Sequence, residues 1–197
     1  MMPRQKKSSE VISDHLILRE PEMRDGPCIA KLAGAFEIAD TTLRIPHPYY
    51  LEHAQSWIAE VRRLSSEDSS KQWVIILKKE RSLIGAIGLS SIDYRHRHGE
   101  LGYWIGKSWW GRGYATESAV AVIEYAFRTL DLHRVYAHHF VRNEASGRVL
   151  QKAGMIYEGT MREHVNHWGR FEDIKIYGIL NSFTGSGNIS GKEYRVE

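Results

Sequence analysis

Cysteine is almost missing from this 197-residue sequence, where Cys28 stands alone. One thiol excludes an internal disulfide framework and a zinc site built from several cysteines. Long apolar runs are missing too. No stretch approaches the roughly 20 residues that a membrane-crossing helix needs, and Met1 to Glu10 is polar, without the apolar segment of a secretory signal. The expectation is a cytoplasmic chain with no membrane partner. Nor does one sign of charge prevail, since 27 basic residues face 24 acidic ones for a formal net charge of +3. That mild excess suits a small polyanionic ligand as well as nucleic acid, and no nucleic-acid partner is expected. The densest basic cluster, Tyr94-Arg95-His96-Arg97-His98, reads as a solvated turn between strands. His96 and His98 have no third ligand at a recognisable spacing, so no metal site is expected.

What remains, 42% hydrophobic and 26% charged residues, is the composition of a globular domain with a sizeable core. No repeat or linker divides it. The expected organisation is a flexible arm over residues 1–14, a single domain over 15–180 and a frayed polar tail over 181–197. His15 to Arg19 reads as a first strand, and Glu22 to Ala39 as helical residues interrupted early by Pro27 and Gly34. After a loop at Pro46 to Tyr50, an amphipathic helix over Leu51 to Leu64 carries Ala54, Trp57, Ile58, Val61 and Leu64 on one side. Gln72 to Leu77 and Leu83 to Ser91 read as paired strands. Further on, Arg134 to Phe140 is a strand and Glu144 to Ala153 a short helix stopped by Gly154. Met155 to Glu163 and Phe171 to Leu180 are strands around a turn at Gly169.

The segment Trp110-Gly111-Arg112-Gly113-Tyr114-Ala115-Thr116-Glu117 carries the most functional information. Before it, Glu100-Leu101-Gly102-Tyr103-Trp104-Ile105 is a short aromatic and aliphatic strand ending at Gly106. After it, Ala115, Ala119, Val122, Ile123, Ala126, Phe127 and Leu130 recur at helical spacing, while Glu117, Glu124 and Arg128 fall elsewhere. A glycine-rich strand-to-helix loop lets successive amides converge on phosphate oxygens at the positive end of a helix dipole. Arg112 adds a permanent charge. The loop lacks the Gly-Lys followed by Ser or Thr of a mononucleotide P-loop, and the third glycine of a dinucleotide fingerprint. An ordinary glycine turn before a core helix is the other reading of these residues.

A second segment, Asn143-Glu144-Ala145-Ser146-Gly147-Arg148-Val149-Leu150-Gln151-Lys152-Ala153-Gly154-Met155, lies one strand further along. Together the two segments resemble the GNAT acetyltransferase superfamily over about residues 15–180, and are similar to its branch of bacterial ribosomal-protein N-terminal acetyltransferases. The resemblance implies an α/β (α+β) single domain with a central mixed, largely antiparallel sheet of about six or seven strands flanked by helices. It also implies acetyl-coenzyme A as co-substrate. The amides around Gly111, Arg112, Gly113, Tyr114, Ala115 and Thr116 would hold its pyrophosphate, and Tyr103, Trp104 and Ile105 would pair like a strand with the pantetheine arm. Asn143 and Ser146 would lie beside the thioester, and Lys152 near the nucleotide phosphates. Asn143 and Ser146 are equally residues that cap helices, and Lys152 reads also as a solvated helix residue. The loop departs from the family pattern at its first place, where Trp110 stands for Gln or Arg.

The implied chemistry needs a neutral amine, a place for the developing oxyanion and a proton for the departing thiolate. An α-amine near 7.7 to 8.0 is neutral in roughly a tenth of molecules at pH 7, whereas a lysine amine near 10.4 costs about 3.4 kcal/mol more to deprotonate. Glu100 is the candidate base, with an exposed strand carboxylate as the alternative reading. Ser146 is the candidate proton donor, with Tyr103 and Tyr114 as substitutes, and amides of Tyr103 to Ile105 face the oxyanion. Cys28 lies far from the cradle without a nearby histidine, so direct attack by the amine is expected rather than a covalent acyl-enzyme. The acceptor expected is a protein or peptide N-terminus, with Leu43 to Tyr49 forming one wall of its cleft. A polyamine or aminoglycoside acceptor, or a non-catalytic coenzyme A-binding module, are the alternatives. Trp168, Phe171 and Tyr177 serve core packing or a dimer contact, and a monomer or homodimer is expected.

Overall fold

The computed structural model describes residues 10–181. They form one eight-stranded sheet in the order β1-β2-β3-β4-β5-β6-β8-β7. The strands are β1 (Val11–Ile12), β2 (Leu16–Arg19), β3 (Lys71–Leu77), β4 (Leu83–Asp93), β5 (His98–Ile105), β6 (Arg134–Phe140), β7 (Ile156–His167) and β8 (Arg170–Leu180). The helices are α1 (Gly26–Ala33), α2 (Phe36–Asp40), α3 (Leu51–Ser66), α4 (Tyr114–Arg128) and α5 (Glu144–Lys152). Every neighbouring pair is antiparallel except β5 and β6, which run parallel. A parallel pair needs a crossover, and α4 supplies it.

Burial explains the central strands. All seven residues from Leu83 to Leu89 are buried, the continuous pattern of a strand covered on both faces. On one face α4 lays Ala119, Val122 and Ala126 against Ile87, Leu101 and Val135, around the fully buried Trp73. On the other, Ile29 of α1 and Ala54 and Ile58 of α3 cover Val74 and Ile76. Truncating such aliphatic side chains to alanine typically costs about 2–5 kcal/mol.

The structure corrects several local expectations. The segment assigned to a flexible arm contains β1, which pairs Val11 with Leu18 and Ile12 with Ile17 and makes the sheet's eighth strand. Behind it, the Ser13 hydroxyl donates to Glu117 at 2.7 Å, tying this segment to the start of α4. Pro27 does not interrupt a helix; it stands in the first turn of α1, where a missing N–H costs nothing. Glu124 lies off the apolar face of α4, as its spacing implies, but is buried all the same, because the second half of α4 is covered on nearly every side; burial pushes its carboxyl pKa up against the opposing pull of Arg128. Asn181, expected to fray, donates its backbone N–H to His133 O and its side-chain amide to Leu132 O. The rest of the expected tail, residues 182–197, lies outside the described residues. Of the three late aromatic residues, only Tyr177 is core; Trp168 and Phe171 are more than half exposed.

Candidate active site

The site grows from the place where β5 and β6 part. Their pairing covers only His98 to Glu100 against Arg134 to Tyr136. Beyond it β5 follows β4 up to Ile105 while β6 follows β8 up to Phe140. The facing edges of Leu101 to Ile105 and Ala137 to Phe140 therefore share no strand pairing, which opens a gap in the middle of the sheet. A cavity of about 990 Å³ runs through this gap. It is lined by Glu100, Tyr103, Trp104, Ile105, Gly111, Gly113, Tyr114, Ala115, Thr116, Asn143, Ser146 and Lys152, all candidates from the sequence. Of those candidates only Arg112, exposed on the loop, does not line it.

The loop from β5 to α4 has the geometry of an anion cradle. Gly111 has φ +74° and Gly113 φ +86°, left-handed backbone that favours glycine. A Cβ at either position would meet nothing within 4 Å, so both face open space. Gly113 caps α4 with no side-chain hydrogen bond, and the first helical bond runs from Glu117 N–H to Gly113 O. The amides of Tyr114, Ala115 and Thr116 therefore have no partner along the helix, at the end where the helix dipole is positive. Trp110 replaces the expected polar side chain with a structural contact, its indole N–H donating to Ile105 O at 2.5 Å and closing the end of β5.

Alternation along β5 divides its side chains between the two faces of the sheet. Leu101, Tyr103 and Ile105 belong to the core under α4, whereas Trp104 packs with α1 and α3, the face that Glu100 and Gly102 share. A Cβ on Gly102 would meet nothing within 4 Å, so the approach to Glu100 is open on that side.

On the first face, the Tyr103 hydroxyl lies 2.8 Å from Ser146 Oγ and 3.2 Å from Ser146 O. Burial pushes the Tyr103 phenol up to about 12, partly offset by the Ser146 contact, so it keeps its proton across the neutral range. Asn143 caps α5, its side-chain oxygen accepting from Ser146 N–H at 3.2 Å. Asn143 thus caps the helix while also lining the cavity, and Ser146 faces the tyrosine. Gly147 lets α5 approach β6: a Cβ there would stand 2.8 Å from His139 Nε2.

On the second face, Glu100 Oε1 lies 3.2 Å from Nδ1 of His138, with 16% and 27% of the two side chains exposed. The sequence reading missed His138, because only the β5–β6 register, which pairs Glu100 with Tyr136, brings His138 two residues on within reach of Glu100. It also missed Arg142, which donates to Asp40 Oδ2 at 2.8 Å, Asp40 O at 2.6 Å and Glu172 Oε1 at 3.1 Å. That side chain ties the end of α2 to β8 beside the cavity. Thr41 to Pro46 and Tyr49, between α2 and α3, line the same cavity, whereas His47 and Pro48 of the expected wall segment Leu43 to Tyr49 do not. Cys28 does not line the cavity; its thiol points to Leu83 O, and burial raises its pKa. Among the described residues no group of His, Cys, Asp and Glu is placed to hold a metal, and no helix is long and apolar enough to cross a membrane.

This architecture and cradle define an acyltransferase of the coenzyme A-dependent kind. Residues 15–156 match the acetyltransferase (GNAT) domain family, and the chain belongs to that family. The chain is 32% identical over 168 residues to the uncharacterised N-acetyltransferase YoaA of Bacillus subtilis, covering 85% of this chain and 94% of that protein. It is 28% identical over 120 residues to ribosomal protein uS5-alanine N-acetyltransferase of Escherichia coli, covering 60% and 62%. The crystal structure of spermidine N-acetyltransferase from Vibrio cholerae in complex with CoA and spermine superposes with a TM-score of 0.75 at 26% identity, covering 86% and 98%. The protein is thus an N-acetyltransferase of the GNAT family that uses acetyl-CoA.

Proposed function

We propose that this enzyme acetylates a peptide or protein N-terminal amine, as its ribosomal-protein relative's name describes. In this reading the amides of Gly111 to Thr116 hold the pyrophosphate of acetyl-CoA, with Lys152 adding charge beside the nucleotide. The open edge of β5 from Tyr103 to Ile105 takes the pantetheine arm as an added strand and donates to the developing oxyanion. Tyr103 and Ser146, within one hydrogen bond of each other, supply a proton on the thiol side. Glu100 provides the basic end of the acceptor side.

One observation carries the choice of acceptor. The carboxylates lining the cavity are Glu60 and Glu100, and each already has a cationic or imidazole partner, Arg63 for Glu60 and His138 for Glu100. A polyamine carries several charges and needs spare carboxylates to replace its hydration. A peptide N-terminus carries one amine, and at an ordinary α-amine pKa it needs little help to become neutral.

The test is transfer of labelled acetyl from acetyl-CoA to alanine- and serine-initiated peptides, spermidine, spermine and an aminoglycoside. The expected result is a kcat/KM for one of the peptides at least about tenfold above every small amine, a difference of about 1.4 kcal/mol in transition-state binding. A preference for spermidine or spermine would overturn the acceptor reading. Coenzyme A binding with no transfer to any acceptor would overturn catalysis itself.

A further inference from the structure

Glu100 does not stand alone at the acceptor end: the imidazole of His138 adjoins it. The parallel register pairs Glu100 with Tyr136, so His138, two residues on, comes from the same face of β6 just where the strands separate. Its Nδ1 lies 3.2 Å from the Glu100 carboxylate, and both residues line the cavity. The contact is a close approach of charge-bearing groups rather than an aligned hydrogen bond; a carboxylate at this side of the ring favours the proton on Nδ1 and leaves the Nε2 lone pair facing away from it.

The geometry points to His138 Nε2 as the atom that takes the proton from the acceptor amine, with Glu100 as the positioning residue behind it. This rests on the acetyl-transfer reading above and assigns its proton path. The amine nitrogen's lone pair forms the new bond to the thioester carbonyl carbon, and the N–H proton passes to Nε2. The carbon–sulfur bond then breaks with its electron pair on sulfur, which takes a proton from the Tyr103–Ser146 side or from solvent. The imidazolium, facing the Glu100 carboxylate, returns its proton to water before the next cycle.

The surroundings suit this role. Tyr136 shares the face, where Glu100, Arg134 of β6 and Arg44 from the loop between α2 and α3 all act on it, Arg134 being paired with Glu158. His139 lies on the opposite face, where Lys175 of β8 pairs with it in register. Arg142, further along, is occupied by Asp40 and Glu172. Glu100 is therefore the carboxylate found against His138.

Two measurements on the full chain test this. In enzyme with 15N-labelled histidine, the ring nitrogen shifts of neutral His138 should show the proton on Nδ1, and Glu100→Gln should weaken that preference. A proton on Nε2 in the wild type, or a tautomer ratio unchanged in Glu100→Gln, overturns the pair. With acetyl-CoA and whichever panel amine is turned over, His138→Gln should lower kcat about 100-fold with KM within about threefold, and remove the acid limb of the rate profile. Glu100→Gln should keep the limb at a reduced rate, and the double variant should fall no lower than His138→Gln. A limb that survives His138→Gln and vanishes in Glu100→Gln would make Glu100 the direct base instead. Retained thermal stabilisation by coenzyme A in each variant shows that it is folded. If the wild type transfers no acetyl group, the acetyltransferase reading fails, while the tautomer measurement still decides whether the pair exists.

Discussion

Replacing Gly113 by alanine tests the cradle where its backbone is most constrained. At φ +86°, a Cβ costs roughly 1–2 kcal/mol in backbone strain. For a domain near 200 residues that lowers Tm by about 2–8 °C. Nothing in the protein meets the added methyl within 4 Å, so strain is the whole of the expected stability effect. Ligand binding should suffer separately, because the methyl projects into the space assigned to pyrophosphate and the relaxed backbone no longer aims its amides together. Losing one charge-assisted hydrogen bond, about 2 kcal/mol, corresponds to an affinity loss of roughly 30-fold. With coenzyme A at 100 times its wild-type Kd, the wild type should gain about 2.7 kcal/mol, a rise of about 5–11 °C in Tm. The variant at the same concentration should gain only about 0.9 kcal/mol, or about 2–4 °C. Thermal melts with and without coenzyme A, backed by calorimetric titration, read both effects in one experiment. A variant that loses stability yet binds coenzyme A with unchanged affinity would refute the argument.

Other perturbations probe different links. Tyr103→Phe removes the hydroxyl bonded to Ser146 and should lower kcat about 3–10-fold, since a thiol near 8.5 needs little protonation help; stopped-flow detection of free thiol checks this, and no change in either Tyr103→Phe or Ser146→Ala would remove both from the proton path. Burial would raise the Asp25 carboxyl, but hydrogen bonds from Arg19 at 2.7 Å and from the Glu22 N–H at 2.8 Å overcome it, holding the pKa below its ordinary value. Its contribution is thus full above about pH 4 and is lost as pH falls through the lowered value. Asp25→Asn should cost about 2 kcal/mol at pH 7 and progressively less in acid, as urea unfolding across pH would show. Gly147→Ala drives a methyl to 2.8 Å from His139 Nε2 and should destabilise by about 1–3 kcal/mol, measurable by the same unfolding curves, with His139→Ala restoring part of the loss.

Much of this was legible locally. The cradle glycines announce themselves because positive φ and the start of a helix both leave marks in sequence, and Asn143 followed by Ser146 is a helix start whatever else it does. The spacing from Ala115 to Leu130 gave α4 its core face, but periodicity has no means of telling that Glu124, on another side of the helix, is buried as well. Pro27 was ambiguous because proline ends a helix from inside and begins one from its first turn. The two residues of β1 are too few to show alternation. The pairing of Glu100 with His138 was out of reach for a deeper reason: it depends on the register of two parallel strands joined by an entire crossover helix. Local pattern sets which face a residue takes along its own strand, not which residue of another strand it meets. The Arg142 link between Asp40 and Glu172 joins segments over 100 residues apart and is silent in sequence for the same reason.

The central claim, that a pyrophosphate settles on the main-chain nitrogens opening α4, is tested most directly by a crystal structure of the complex with coenzyme A. The account predicts phosphate oxygens within about 3 Å of amides between Gly111 and Thr116, with the pantetheine arm lying along β5 at Tyr103 to Ile105. Coenzyme A bound elsewhere, with those amides facing only water, would contradict it.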